Sequence, residues 1–241
     1  MSNIDNAMTA FRTGQSELAE RWSLAELDRA RADGDLPAEF DALCMLARVA
    51  LRKRCLTDAW RLADKARTVA AHLPDRRHDR VPSHIEAVAA RMSGNLTYAR
   101  RLYREGIELS LAAGDARTVI AERNNLGYVE LHAGDIDAAR ELFTQARVEA
   151  LQVGNGHMLP DIALAAAVLS ASDGHPERAA HLLGAAEAGY AALGMIPDPD
   201  DEDERSDLLI SLDRTMTPDD LALARIAGSV AGIRRLLTDW A

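Results

Sequence analysis

Residues 114–154 read GDARTVIAERNNLGYVELHAGDIDAARELFTQARVEALQVG. Gly114-Asp115 and Gly134-Asp135 each set a glycine suited to a left-handed helix stop beside an aspartate suited to cap the next helix. After the first pair, Val119, Leu126, Val129 and Leu131 recur at helical spacing. After the second, Ile136, Ala139, Leu142, Phe143, Ala146 and Ala150 share one side. The stretch reads as a hairpin of two helices, 116 to 133 and 136 to 152. Two antiparallel helices approach closely only where one side chain is short. Gly127 and Ala139 are assigned to that contact, with Leu142 or Phe143 filling the groove they leave.

Outward from this hairpin the pattern returns every forty residues. Ala19, Ala59, Ala99, Ala139 and Ala179 form one track, and Ala7, Ala47, Ala87, Gly127 and Ala167 a second. Breakers keep the same interval, as Gly34, Pro74, Gly114, Gly154 and Gly194, and as Gly14, Arg54, Gly94, Gly134 and Gly174. A fixed period between about 20 and 50 residues marks stacked supersecondary units. The expected fold is all-α, an α-solenoid of about five helical hairpins closed by C-terminal capping helices. Helices are predicted over 4–13, 15–33, 36–53, 56–72, 82–93, 96–113, 116–133, 136–152, 159–172 and 176–193. The hairpins take up residues 1–194, and an acidic loop with capping helices takes up 195–241, all in one continuous domain. The first helix is short, so that end is expected to be the least ordered or to dock on a partner. Six of the seven residues from Asp198 to Glu204 are acidic and Pro199 interrupts them, which predicts a mobile loop. A helix from about Glu204 to Thr215 should follow. Thr217 then caps a last helix or helix pair with Pro218 in its first position.

Composition narrows the function. Hydrophobic residues reach 48% with only 4% aromatic, an Ala- and Leu-rich balance that favours helix over strand. With 38 acidic against 28 basic residues the net charge is -10, which opposes direct nucleic-acid binding. No apolar run approaches the roughly 20 residues that span a bilayer, and the start lacks a signal-peptide core, so a soluble cytoplasmic protein is expected. Cys44 and Cys55 suggest neither a disulfide framework nor a zinc site. The seven histidines include no pair three or four residues apart, so no metal is expected. No nucleophile elbow is present, and neither catalytic residues nor cofactors are assigned. Trp22, Trp60 and Trp240 are read as packing anchors.

Asn125-Leu126-Gly127-Tyr128, Ala133-Gly134-Asp135-Ile136-Asp137-Ala138-Ala139, Leu142-Phe143 and Ala146 resemble a tetratricopeptide repeat. The forty-residue interval departs from the usual 34 and implies longer helices. The segments Glu177 to Gly194 and Asp220 to Gly228 are similar to the C-terminal helical repeat region of large LuxR-type and related actinobacterial regulators. That resemblance implies a sensing or scaffolding module. The Gly-Lys-Ser/Thr loop of a nucleotide switch is absent, and the length leaves no space for a helix-turn-helix domain, so a complete transcription factor is not expected.

In tetratricopeptide arrays the first helices of the hairpins line a groove for peptides. The resemblance therefore places Arg48, Arg52, His84, Arg91, Asn124, Tyr128 and His132 in a peptide- or ligand-binding groove, together with Asp41, Cys44, Val88, Asp161, Leu164 and Val168. Arg48, Arg52 and Arg91, with His84 and Asn124, form a basic stripe able to hold a carboxylate or an acidic peptide. The plain alternative is a set of ordinary solvated helix faces. The reading that follows is a non-enzymatic module that binds a peptide or protein in a regulatory or assembly role. A small-molecule-sensing regulatory domain is the alternative, and an enzyme or enzyme accessory subunit the second. Neither nucleic acid nor membrane is an expected partner, and a homodimer through the exposed first hairpin is the expected form of self-association.

Overall fold

The even-numbered helices begin forty residues apart, at Ser16, Leu56, Leu96, Ile136 and Pro176. These starts come from a computed structural model that describes residues 2–154 and 156–239, apart from the side chains of residues 76 and 77. Trp240 lies outside the described residues. Among the described residues 85% are helical. Its helices are α1 (Asn3–Arg12), α2 (Ser16–Asp33), α3 (Leu36–Arg52), α4 (Leu56–Ala70), α5 (Arg80–Met92), α6 (Leu96–Ala112) and α7 (Ala116–His132). They continue with α8 (Ile136–Val153), α9 (Leu159–Ser172), α10 (Pro176–Leu193), α11 (Pro199–Thr215), α12 (Pro218–Ala231) and α13 (Ile233–Thr238). No strand occurs among the described residues. Two compact units divide the chain, one ending at Leu109 and the other beginning at Ser110, so the division falls within α6.

The repeat is a turn before it is a hairpin. The N–H groups of Gln15, Cys55, Asn95, Asp135 and His175 donate to the carbonyls of Ala10, Ala50, Ala90, Glu130 and Ser170 at 2.8–2.9 Å. That six-residue closure needs a left-handed residue just before the donor. Gly14, Gly94, Gly134 and Gly174 supply it, and so does Arg54, at φ 63°. The turn geometry is therefore kept even where the glycine is not. Four residues beyond each turn donor, Ala19, Ala59, Ala99, Ala139 and Ala179 are fully buried. The other breaker track fails at Pro74, whose ring holds φ near −65° and cannot enter the left-handed region. There the chain detours through a 3₁₀ turn, Arg76–Asp79, before α5 begins.

In the first unit, α1 to α5 pack each on its chain neighbour, with α1 also against α3 and α3 against α5. The N-terminal helix is capped and packed on its own chain. Ser2 and Asp5 close a reciprocal capping box on α1, and Ala7, Ala10 and Phe11 are buried with Ala19, Met45 and Val49 of the same chain. Trp22 packs on that cluster, and Trp60 packs on the α3–α4 core while stacking on Tyr98 at 5.4 Å.

In the second unit α7, α8, α9 and α10 pack in sequence. At Gly127 an added Cβ would lie 2.5 Å from Cε1 of Phe143, so that ring occupies the space the glycine leaves. Tyr128 meets the same ring edge-on at 5.0 Å. α12 lies across α10 with backbones in contact: a Cβ on Gly184 would meet the Arg225 carbonyl oxygen at 2.0 Å, and one on Gly228 would meet that of His181 at 1.8 Å. The acidic segment is a helix, not a mobile loop. Pro199 opens α11, Asp200, Asp201 and Glu202 fill its first turn, and Asp200, Asp201 and Glu204 are buried. Carboxylates in a first turn face the positive end of the helix dipole, which favours this start. Thr217 caps α12 as expected, accepting from the Asp220 N–H at 3.2 Å. Among the described residues no helix is long and apolar enough to cross a membrane.

Candidate functional site

The forty-residue period puts the expected groove residues in three registers along α3, α5, α7 and α9. Cys44, His84, Asn124 and Leu164 share the first, Arg48, Val88, Tyr128 and Val168 the second, and Arg52, Met92, His132 and Ser172 the third. Exposure rises along the helices from the first register to the third. Cys44, Asn124 and Leu164 are buried and His84 half-buried; Arg48 and Val168 are half-buried while Val88 and Tyr128 are buried; His132 and Ser172 are exposed.

Several of the residues expected to line a groove are buried. Tyr128 is 0% exposed with its ring on Phe143, and Asn124 is 4% exposed, so neither projects into solvent. Arg91 is also buried, at 5%. Burial pushes the Cys44 thiol up to about 12, which keeps it neutral beside Arg48. In the first unit this face of α3 carries the exposed Asp41 and the half-buried Arg48 and Arg52. The Arg52 guanidinium lies 4.3 Å from the centre of the Phe11 ring, which fixes its direction. His84, on α5, sits edge-on to Tyr103 at 6.2 Å.

In the second unit the same face carries a helix of the chain itself. α11 packs on α9, burying Leu208 and Leu212 in a core shared with Leu159, Ile162 and Leu164. Glu204 of α11 reaches His132 at the end of α7, with Oε2 3.1 Å from Nε2. Near the start of α9, Asp161 accepts a 2.5 Å hydrogen bond from the Tyr190 hydroxyl. Burial raises the Asp161 carboxyl to about 7; the Tyr190 hydrogen bond opposes this, and Asp198 and Asp200 add to it. Glu187 of α10 holds the assembly from behind, accepting from Arg205 of α11 at 3.1 and 2.9 Å and from Arg225 of α12 at 3.1 and 2.6 Å.

Sequence reasoning therefore missed α11 as part of the site. The signal was present: Asp198-Pro199-Asp200-Asp201 has the same capping, proline and acidic-turn order as Thr217-Pro218-Asp219-Asp220. Among the described residues no three His, Cys, Asp or Glu side chains are placed to hold a metal ion.

No protein-family model matches the chain, and no curated protein matches it. Among solved structures, the chain is similar to the crystal structure of BtubC (BKLC) from P. vanneervenii, at 16% identity and a TM-score of 0.60. The match covers 92% of this chain and 90% of that one. At that identity the likeness bears on the helical fold alone.

Proposed function

We propose that the protein is a non-enzymatic, tetratricopeptide-like α-solenoid of about five hairpins that binds an acidic helical segment of a peptide or protein on the face of its leading helices. Its role is regulatory or one of assembly. One observation carries the reading: on α7 and α9 this face already seats an acidic amphipathic helix, α11, with Glu204 at His132 and Leu208 and Leu212 inserted below. A surface that accepts one such helix offers the chemistry for another, a basic or polar rim over apolar seats. In the first unit Arg48 of α3 offers a half-buried guanidinium suited to a carboxylate.

The test uses a labelled synthetic peptide of the α11 sequence, residues 197–216, titrated into the full chain. Binding should weaken about tenfold in Arg48→Glu and be restored in Arg48→Lys, with circular dichroism confirming that each variant folds. Equal binding by the wild type and Arg48→Glu would remove the basis for the proposal.

A further inference from the structure

The inward side of α12 sets Leu221, Ala224 and Gly228 against α10. Its outward side is also apolar. Leu223, Ile226 and Val230 follow one another at intervals of three and four residues, and they are 65%, 61% and 81% exposed. A helix apolar on both sides is one that is covered on both sides, and the ends of repeat arrays ordinarily carry a polar outer face. Next to the stripe, and sharing Leu223 with it, lies a cleft of about 540 Å³ whose walls include Glu177, His181, Met216, Asp220 and Ala227. No lysine or arginine lines that cleft. The acids at this cleft are Glu177 and Asp220, with Asp219 beside Asp220 in the first turn of α12.

We propose that the outward face of α12, together with the cleft at its N-terminal end, is a docking surface for a basic amphipathic helix of another protein. The apolar stripe would take leucine-like side chains at i, i+3 and i+7, and the cleft would take a lysine or arginine between Glu177 and Asp220. Charge decides against a second copy of this chain. Each copy carries a net charge of -10 and would bring the same Glu177 and Asp220 to the contact, where like charges oppose association. α12 packs on α10, a trailing helix, so this surface is separate from the leading-helix face proposed above and stands without it.

The experiment titrates the full chain into a fluorescent peptide of about 18 residues, with Leu and Lys at helical spacing, and into its Leu and Glu counterpart. The Leu and Lys peptide should bind saturably and the Leu and Glu peptide should not. The triple variant Leu223→Ser, Ile226→Ser, Val230→Ser should lose about tenfold or more in affinity without a change in melting temperature, since all three side chains are exposed. Glu177→Gln should weaken binding by about threefold and reduce its salt dependence. Three outcomes would overturn the proposal: equal binding by the triple variant, preference for the Leu and Glu peptide, or a dimer seen by light scattering that the triple variant abolishes.

Discussion

Replacing Gly184 with alanine sets a local gain against a tertiary clash. In an isolated helix the change would stabilise by about 1 kcal/mol, because alanine forms helix better than glycine. In this protein the new Cβ would sit 2.0 Å from the Arg225 carbonyl oxygen and 2.7 Å from its Cα. Both atoms belong to the backbone of α12, so no rotamer change relieves the overlap. Restoring ordinary separation requires α10 and α12 to part by about 1 Å, which forfeits much of the dispersion energy along the crossing. It would also stretch the hydrogen bonds from Arg225 to Glu187, now 3.1 and 2.6 Å. Overpacking of this kind costs about 1–3 kcal/mol, and the stretched charged bonds add about 1–2 kcal/mol. Net of the helix-propensity gain, a loss of about 1–4 kcal/mol is expected, or roughly 4–14 °C in melting temperature for a unit of this size. Thermal and urea unfolding followed by circular dichroism measures the loss, and hydrogen exchange locates it in α10 and α12. Gly189→Ala is the comparison, because its Cβ would meet side-chain atoms, Pro160 Cγ at 2.9 Å and Ile233 Cδ1 at 3.3 Å, and no backbone carbonyl, so a smaller loss is expected. If Gly184→Ala proves as stable as the wild type or more so, helix propensity has won and the close crossing is wrong.

Two further predictions concern strain and protonation. Arg54 holds the left-handed conformation that glycine takes at the equivalent turns, so Arg54→Gly should raise stability by about 0.5–1 kcal/mol; a lower urea midpoint would count against the shared turn geometry. For Asp161 the folded-state carboxyl is raised from 3.8 to about 7. Between those values the native state binds more protons than the unfolded chain, so stability falls as pH rises through that window, by up to about 1.4 kcal/mol per pH unit. Asp161→Asn should remove that slope, and urea unfolding at a series of pH values reads the difference; an unchanged slope would show that Asp161 is ionised in the folded protein.

The helices and their turns were legible in the sequence because the forces that set them act within about six residues. Left-handed stops, capping aspartates and the buried alanine track need no distant partner, and even Gly127 with Phe143 spans only one hairpin. Pro74 was legible as a breaker, although the 3₁₀ detour it causes was not. The crossing of α10 and α12 was hidden, since Gly184 and Gly228 lie on segments whose meeting no periodicity announces. The groove was hidden for a related reason. Tyr128 and Asn124 fall on the predicted face, yet their burial depends on what packs over that face. The acids of α11 show this most plainly. Their helical start could be read locally, but the burial of Glu204 could not, because His132, which it meets, stands seventy-two positions earlier in the chain. Local hydrogen bonding and side-chain size determined the hairpins. Burial and charge pairing between segments far apart in sequence decided which of their faces stay open, because desolvation depends on neighbours that only the folded chain supplies.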